Sequence, residues 1–198
     1  SLLASLGMDR VRVFRQPRAS IISTGDELVM PGQSCSGAQI YNSNGFGLAA
    51  LLGGAGAQLD RADESPDGLP FRHVADDREQ LRCALLDAAC ASEVVITSGG
   101  VSAGEADHLP GLVRELGQVH FWKVRLRPGM PFLFGEIEGA LLFCLPGNPV
   151  SSLVTFQSLV RPALRALQGD RELHPRWLNA RLVAPVRKQH QRTEMLRG

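Results

Sequence analysis

Residues 92–117 read SEVVITSGGVSAGEADHLPGLVRELG. The opening, a short run of β-branched apolar residues bounded by turn formers, predicts a buried strand. The end, DHLPGLVRELG, predicts a helix, with Asp107 as its N-cap and with Pro110 and Gly111 tolerable only in the first turns. Between them lies a glycine-rich loop that carries Glu105 and Asp107 at its exit. A strand, a glycine loop and a helix make one unit of an α/β domain, and the neighbouring sequence repeats the unit.

Upstream, RASIIS predicts a strand and TGDELVMPGQ a loop. NSNGFGLAALLGGAG predicts a helix capped by Asn42 or Ser43, with Leu48, Leu51 and Leu52 on one face. A weaker strand follows in GAGAQLDRAD. ADDREQLRCALLDAACAS is the clearest helix: Leu81, Ala84, Leu85, Ala88 and Ala89 recur at helical spacing. Asp76 is its expected cap, with Glu79 completing a capping box. Downstream, VHFWKVRLRPGMPFLFGEIEGALLFCLPG predicts two or three strands joined by turns at PGMP and EG. NPVSSLVTFQSLVRPALRALQG predicts a long helix, with Pro149 in its first turn, a kink at Pro162 and an end at Gly169. This alternation predicts an α/β fold with a mostly parallel sheet flanked by helices. After Gly169 the composition turns basic, and WLNARLVAPV alternates like a strand, as expected for the start of a small β-domain.

The chain has 198 residues, is 44% hydrophobic and carries a net charge of +1. That suits one ordinary domain with part of a second, and offers no global basic field for nucleic acid or a membrane surface. No run of about 18 apolar residues is present, so no transmembrane helix is expected. The N-terminal SLLASLG lacks the order of a signal peptide and does not begin with Met, which reads as a fragment. Cys35, Cys83, Cys90 and Cys144 show no CxxC spacing. A zinc site is not expected, Cys83 and Cys90 are expected to pack on their helix, and the cysteine usage reads as a reducing, cytoplasmic compartment.

In open α/β sheets ligands sit beyond the carboxyl ends of the strands. Three glycine-containing loops occupy that place: STGDE, TSGGVSAGEAD and CLPGNPVSS. Glycine lets backbone N–H groups approach an anion, and Ser98 and Ser102 add hydroxyl donors. The alternative for each loop is a tight turn that only packs strand on helix. Glu105 and Asp107 beside a phosphate site suggest a bridging divalent cation, whereas Asp107 is equally a plain cap and Asp26 with Glu27 equally a solvated turn. In LPGNPVSS, two prolines fix a turn that places the Ser151 hydroxyl near a helix start. Lys123, Arg125 and Arg127 alternate, so in a strand they share one face, either as an anion site or as a solvated edge. The five histidines have no metal spacing.

Taken together and in order, IISTGDEL, IYNSNG, TSGGVSAGEAD, FWKVRLRPGMPF and LPGNPVSS resemble the molybdopterin molybdenumtransferases, the MoeA and gephyrin E-domain family, over nearly the whole chain. The resemblance implies a linker over 1–17 from N-terminal domains, a molybdopterin-binding α/β domain over 18–170 and the start of a C-terminal β-domain over 171–198. It implies insertion of molybdate into adenylylated molybdopterin with release of AMP and with Mg²⁺. It further implies a homodimer, with molybdopterin adenylyltransferase as the upstream partner.

The resemblance also distributes roles. Asp107, Glu27, Asp76 and Lys123 match catalytic positions, with Asp107 and Glu27 on the metal. Thr24, Gly25, Asp26, Asn44, Ser98, Gly99, Gly100, Val101, Ser102, Gly104, Glu105, Pro146, Gly147, Asn148 and Pro149 match the substrate-binding loops. Arg127, Pro131, Ser151 and Arg192 match the molybdate pocket. One position departs: the family's PGKP turn reads PGMP here, so Met130 replaces a cation, at a cost of roughly 1.5–3 kcal/mol if that charged hydrogen bond is not replaced. A pterin-binding or scaffold module without turnover, and a molybdopterin adenylyltransferase, are the competing functions. A dinucleotide dehydrogenase is disfavoured, because no GxGxxG follows the first strand.

Overall fold

The computed structural model describes all residues except Ser1, 61–67, 102–107, His174, Arg176, Lys188, Gln189, Arg197 and Gly198. In chain order the elements are α1 (Leu2–Ser5), β1 (Arg18–Thr24), β2 (Leu28–Val29), β3 (Ile40–Tyr41), α2 (Asn44–Gly54), β4 (Gln58–Leu59), β5 (Arg72–Val74), α3 (Arg78–Ala91) and β6 (Val94–Ser98). They continue with α4 (Leu109–Leu116), β7 (Gly117–Trp122), β8 (Leu126–Arg127), β9 (Leu133–Ile137), β10 (Ala140–Leu145), α5 (Pro149–Thr155), a π-helical segment (Phe156–Val160), α6 (Arg161–Leu167) and β11 (Thr193–Glu194).

The main sheet runs β4-β1-β6-β10-β9-β7, with β5 pairing farther along β1. The β4, β5 and β6 pairings on β1 are parallel, as is β6 with β10. The β10–β9 and β9–β7 pairings are antiparallel. The sheet is therefore mixed but mainly parallel, as the alternation of elements predicts. The reversal needs only a tight turn, where Glu138 and Gly139 both take positive φ (49° and 82°), the signature of a two-residue hairpin loop.

Helices cover both faces. One apolar layer joins Ile22, Val95 and Leu142 to Leu81 and Leu85 of α3 and Leu112 of α4. The other joins Ile21, Ile96 and Phe143 to Leu48 and Leu52 of α2 and to Phe156, Val160 and Leu164 of the last helix. Adjacent residues alternate between layers, which is the period of two of a sheet buried on both sides. Central β6 is buried at every residue.

Several local expectations shift. Asp77, not Asp76, caps α3, accepting from the Gln80 N–H at 2.9 Å. Ser43 occupies the N-cap of α2 but makes no capping bond; Asn42 takes the Gly45 N–H instead, at 3.2 Å. His108 stands at the N-cap of α4 with no side-chain bond, and the expected cap, Asp107, lies outside the described residues. The loop after β1 contains β2, which forms a two-residue parallel ladder with β3. Pro162 is absorbed by the π-helical turn just before it, a known device where an α-helical bond is lost. Cys83 and Cys90 lie on the exposed side of α3 rather than in its packed face, and all four cysteines are free. Cys144 is buried in the sheet, where burial pushes its thiol up to about 12. It is therefore inert as a nucleophile. WLNARLVAPV forms no strand: nothing among the described residues pairs with it, and Trp177, Leu178, Leu182 and Val183 are exposed.

At the amino ends of the parallel strands, Glu93 accepts from the Arg18 N–H (2.7 Å), from Arg15 (2.8 Å) and from Arg18 Nη2 (3.2 Å). Burial alone would raise its carboxyl, but these bonds outweigh it and hold the group at about 2. Because the folded value lies below the ordinary ~4.3 of an unfolded Glu, the stabilisation is complete above about pH 4.3 and disappears as pH falls towards 2. Glu93→Gln should lower stability at pH 7 by roughly 1–2 kcal/mol, about 2–8 °C in Tm. Thermal melts should show the gap to wild type narrowing through that acid window.

Candidate functional site

The site begins with strand register. Ser23, Ser98 and Leu145 lie level across β1, β6 and β10, so three strands end together on one edge. The loops that follow meet around one cavity of about 610 Å³. Thr24, Gly25 and Glu27 come from the first loop, Ser98 to Val101 from the second, and Pro146 to Pro149 with Ser151 from the third.

Close backbone approach shapes the floor. Gly99 (φ +100°) stacks under β1, and a Cβ there would overlap the Thr24 carbonyl oxygen. The Gly99 N–H donates to the Leu145 carbonyl at 3.1 Å, and Gly147 lies against Gly99. Only glycine satisfies both the backbone angle and the space at position 99. Asn44, at the start of α2, ties two loops together: its Nδ2 donates to Ser98 Oγ (2.9 Å) and to the Gly147 carbonyl (2.7 Å). Asn148 caps α5, accepting from the Ser151 N–H at 3.2 Å with the Ser151 hydroxyl at 3.4 Å. The Trp122 Nε1–H donates to the Val101 carbonyl at 3.3 Å and pins the first part of the second loop.

The acidic side is assembled from two segments. The Thr24 hydroxyl donates to Asp76 Oδ1, and the Asp76 N–H donates to Asp26 Oδ1 at 3.0 Å. Asp77 takes the capping role, which leaves Asp76 on the cavity wall, where Glu27 also lies.

Residues 20–166 match the family described as "Probable molybdopterin binding domain". The chain belongs to the molybdopterin-binding domain family. It is 41% identical over 171 residues to the molybdopterin molybdenumtransferase of Haemophilus influenzae, covering 86% of this chain and 40% of that protein. It is 34% identical over 199 residues to molybdopterin molybdenumtransferase 1 of Mycobacterium tuberculosis, covering 100% and 45%. The chain thus spans less than half the length of these curated relatives. The molybdopterin biosynthesis moea protein from Pyrococcus horikosii has a similar structure, with 36% identity and a TM-score of 0.71 over 85% of this chain and 39% of that one. Molybdenum cofactor biosynthesis protein B shares the fold alone, at 19% identity and a TM-score of 0.56 over 82% of this chain and 99% of that one.

Of the residues expected in the site, this molybdopterin-binding domain gathers Thr24, Gly25, Glu27, Asn44, Asp76, Ser98, Gly99, Gly100, Val101, Pro131, Pro146, Gly147, Asn148, Pro149 and Ser151 on the cavity wall. Asp26 stands behind Asp76. Ser102, Gly104, Glu105 and Asp107 lie outside the described residues. Lys123, Arg127 and Arg192 are not on the wall. The shared strand face expected for Lys123, Arg125 and Arg127 does not form, because Lys123 takes a left-handed backbone (φ +69°) that ends β7. Each cation finds a separate partner: the Lys123 ammonium lies 4.6 Å from the Trp122 ring centroid, Arg125 reaches Gln191 (3.4 Å) and Arg127 pairs with Glu194 (3.6 Å). Arg192 contacts the Met130 sulfur at 3.6 Å, next to Pro131. β11 carries Arg192 there by pairing with β8.

Leu28, Ile40, Tyr41, Asn42 and Ser43 are also on the wall; they fall within the quoted motifs IISTGDEL and IYNSNG, with Asn42 and Ser43 expected only as helix caps, and none was expected in the site. The adjacent β-branched and aromatic pair Ile40–Tyr41 is the signal that marks them. Asn44→Ala should cost about 1–2 kcal/mol. Amide exchange should quicken at Ser98–Gly100 and Gly147–Asn148 while the rest of the sheet keeps its protection.

Proposed function

We propose that the chain acts in molybdenum cofactor biosynthesis, holding adenylylated molybdopterin in this cavity for molybdate insertion with release of AMP. One observation carries the reading: three glycine-bearing loops meet at the carboxyl edge of the sheet in a cavity also lined by Glu27 and Asp76, in a chain whose 34–41% identical relatives bear the transferase name. Those names also favour insertion over adenylyl transfer.

In this reading the glycine loops and Ser98 hold the pterin and its phosphate, with Ser102, Gly104 and Glu105 completing the second loop. Molybdate is a dianion and suits the end formed by Pro131 and Ser151, with Arg127 and Arg192 supplying charge. Arg192 faces a thioether instead of a lysine at position 130, so it carries no like-charge neighbour there. Lys123 balances substrate charge from the rim.

Glu27 and Asp76 are hard oxygen donors lining the cavity and suit Mg²⁺. No group of three metal-ligating side chains occurs among the described residues, and Asp107 is proposed as a further ligand with Glu27. Mg²⁺ would screen the phosphoanhydride charge. The residues of the chain orient the phosphoanhydride, bind the leaving nucleotide and exclude water. We further propose a homodimer in the cytoplasm that receives adenylylated molybdopterin from the adenylyltransferase, with residues 1–17 as a linker and 171–198 opening a β-domain. Among the described residues, no helix is long and apolar enough to cross a membrane.

AMP release from adenylylated molybdopterin, followed with and without molybdate and Mg²⁺, tests the reading. Release that requires both is expected. Asp76→Asn keeps the acceptor for Thr24 but removes the charge, and should slow release more than about tenfold. Binding without release would assign the chain a ligand-holding role without turnover, and no binding would overturn the reading.

A further inference from the structure

A second hollow lies apart from the loop cavity and shares no lining residue with it. It is a groove of about 520 Å³ between the last helix and the segment that follows. The helix supplies Ser158, Arg161, Pro162 and Arg165, which are three and four residues apart and so lie on one helix face. Leu173, Pro175 and Trp177, alternate residues of the next segment, also line it, joined by Met195 from just after β11. The segment is anchored at both ends. Asp170 turns the chain at the end of α6: its N–H donates to the Arg165 carbonyl at 3.0 Å, and its carboxylate accepts from Arg165 Nε at 2.7 Å and from the Glu172 N–H at 2.9 Å. At the far end the Met195 N–H donates to the Arg127 carbonyl at 2.8 Å.

The charge in the groove is one-sided. Two arginines line it, and among the described residues no carboxylate does. Arg165 has its acid in Asp170, which is not part of the lining. Arg161 has none: among the described residues its side-chain partner is the neutral Gln157 amide oxygen, at 3.0 Å. Around this uncompensated cation the lining is apolar, and Trp177 is 73% exposed. An indole and two prolines offer flat apolar surface, and a guanidinium offers a planar fork of N–H donors that matches a carboxylate. The volume falls in the roughly 300–1,000 Å³ range of small-molecule sites. The occupant that uses both features is an aromatic ring bearing an acidic group.

We infer that this groove binds a small aromatic carboxylate, with the ring against Trp177 and the carboxylate on Arg161. The groove binds only; no chemical step is assigned to it. The inference stands apart from the reading of the loop cavity.

The chain has two tryptophans, so the indole N–H resonances of Trp122 and Trp177 report on the loop cavity and on the groove separately, and Trp177→Ala assigns them. The chain is titrated with 2-naphthoate, with neutral 2-naphthamide and with acetate, each also followed by calorimetry. 2-Naphthoate should move the Trp177 resonance, leave that of Trp122 in place and bind about tenfold more tightly than 2-naphthamide, while acetate moves neither. Arg161→Gln should weaken 2-naphthoate about fivefold or more and leave 2-naphthamide within about twofold. Trp177→Ala should weaken both ring ligands alike. Arg161 and Trp177 are both exposed, so the two variants should melt with wild type. Equal affinity for the acid and its amide, 2-naphthoate binding untouched by Arg161→Gln, or a Trp177 resonance that stays in place overturns the inference. A Trp177 resonance that broadens with protein concentration while 2-naphthoate fails to bind gives the groove to a second copy of the chain and overturns it too.

Discussion

The structure depends on the register of β6 between β1 and β10. Five consecutive buried residues leave β6 no freedom to slip, because a shift by one would exchange the side chains of its two apolar layers. Parallel pairing on both sides then makes three strands end level. The convergence of loops separated by some fifty residues or more is a by-product of that burial. The site is where the sheet runs out.

The secondary contacts refine what the register places. The Asn44 amide spans two loops, Trp122 holds the first part of the second, and Asn148 closes the helix start of the third. Each uses a side chain to satisfy backbone or hydroxyl groups that loop geometry would leave open. The acidic wall follows from a one-residue shift in helix α3. With Asp77 as cap, Asp76 meets Thr24 across the sheet edge rather than its own helix.

Local pattern carried much of this in the sequence. The apolar runs at Ile21–Ile22 and Val94–Ile96, each followed by glycine, were legible because strand period and glycine loops are short-range signals. So were the face of α3 and the turn at Glu138–Gly139. What escaped was set by distance or by single residues. Adjacent Asp76 and Asp77 satisfy the same capping rule, and only the helix register chooses between them. A two-residue strand such as Ile40–Tyr41 has no period to detect. The left-handed turn at Lys123 breaks an alternation that reads perfectly as a strand. WLNARLVAPV shows the converse: alternation makes a strand only where a neighbour supplies the hydrogen bonds.

The contact between Gly147 and Gly99 bears on how such a site changes over generations. A methyl group on Gly147 would stand 3.7 Å from the Gly99 Cα, an ordinary contact, whereas one on Gly99 meets backbone that has nowhere to go. The two glycines are therefore unequal as entry points for variation. The third loop is open to drift, and the second is closed to it. Any side chain acquired at 147 would occupy the floor beside 99, whose backbone stays fixed beneath it. One half of the cavity floor is thus set by backbone sterics, and the other has room to take a side chain and so to reshape the space above it.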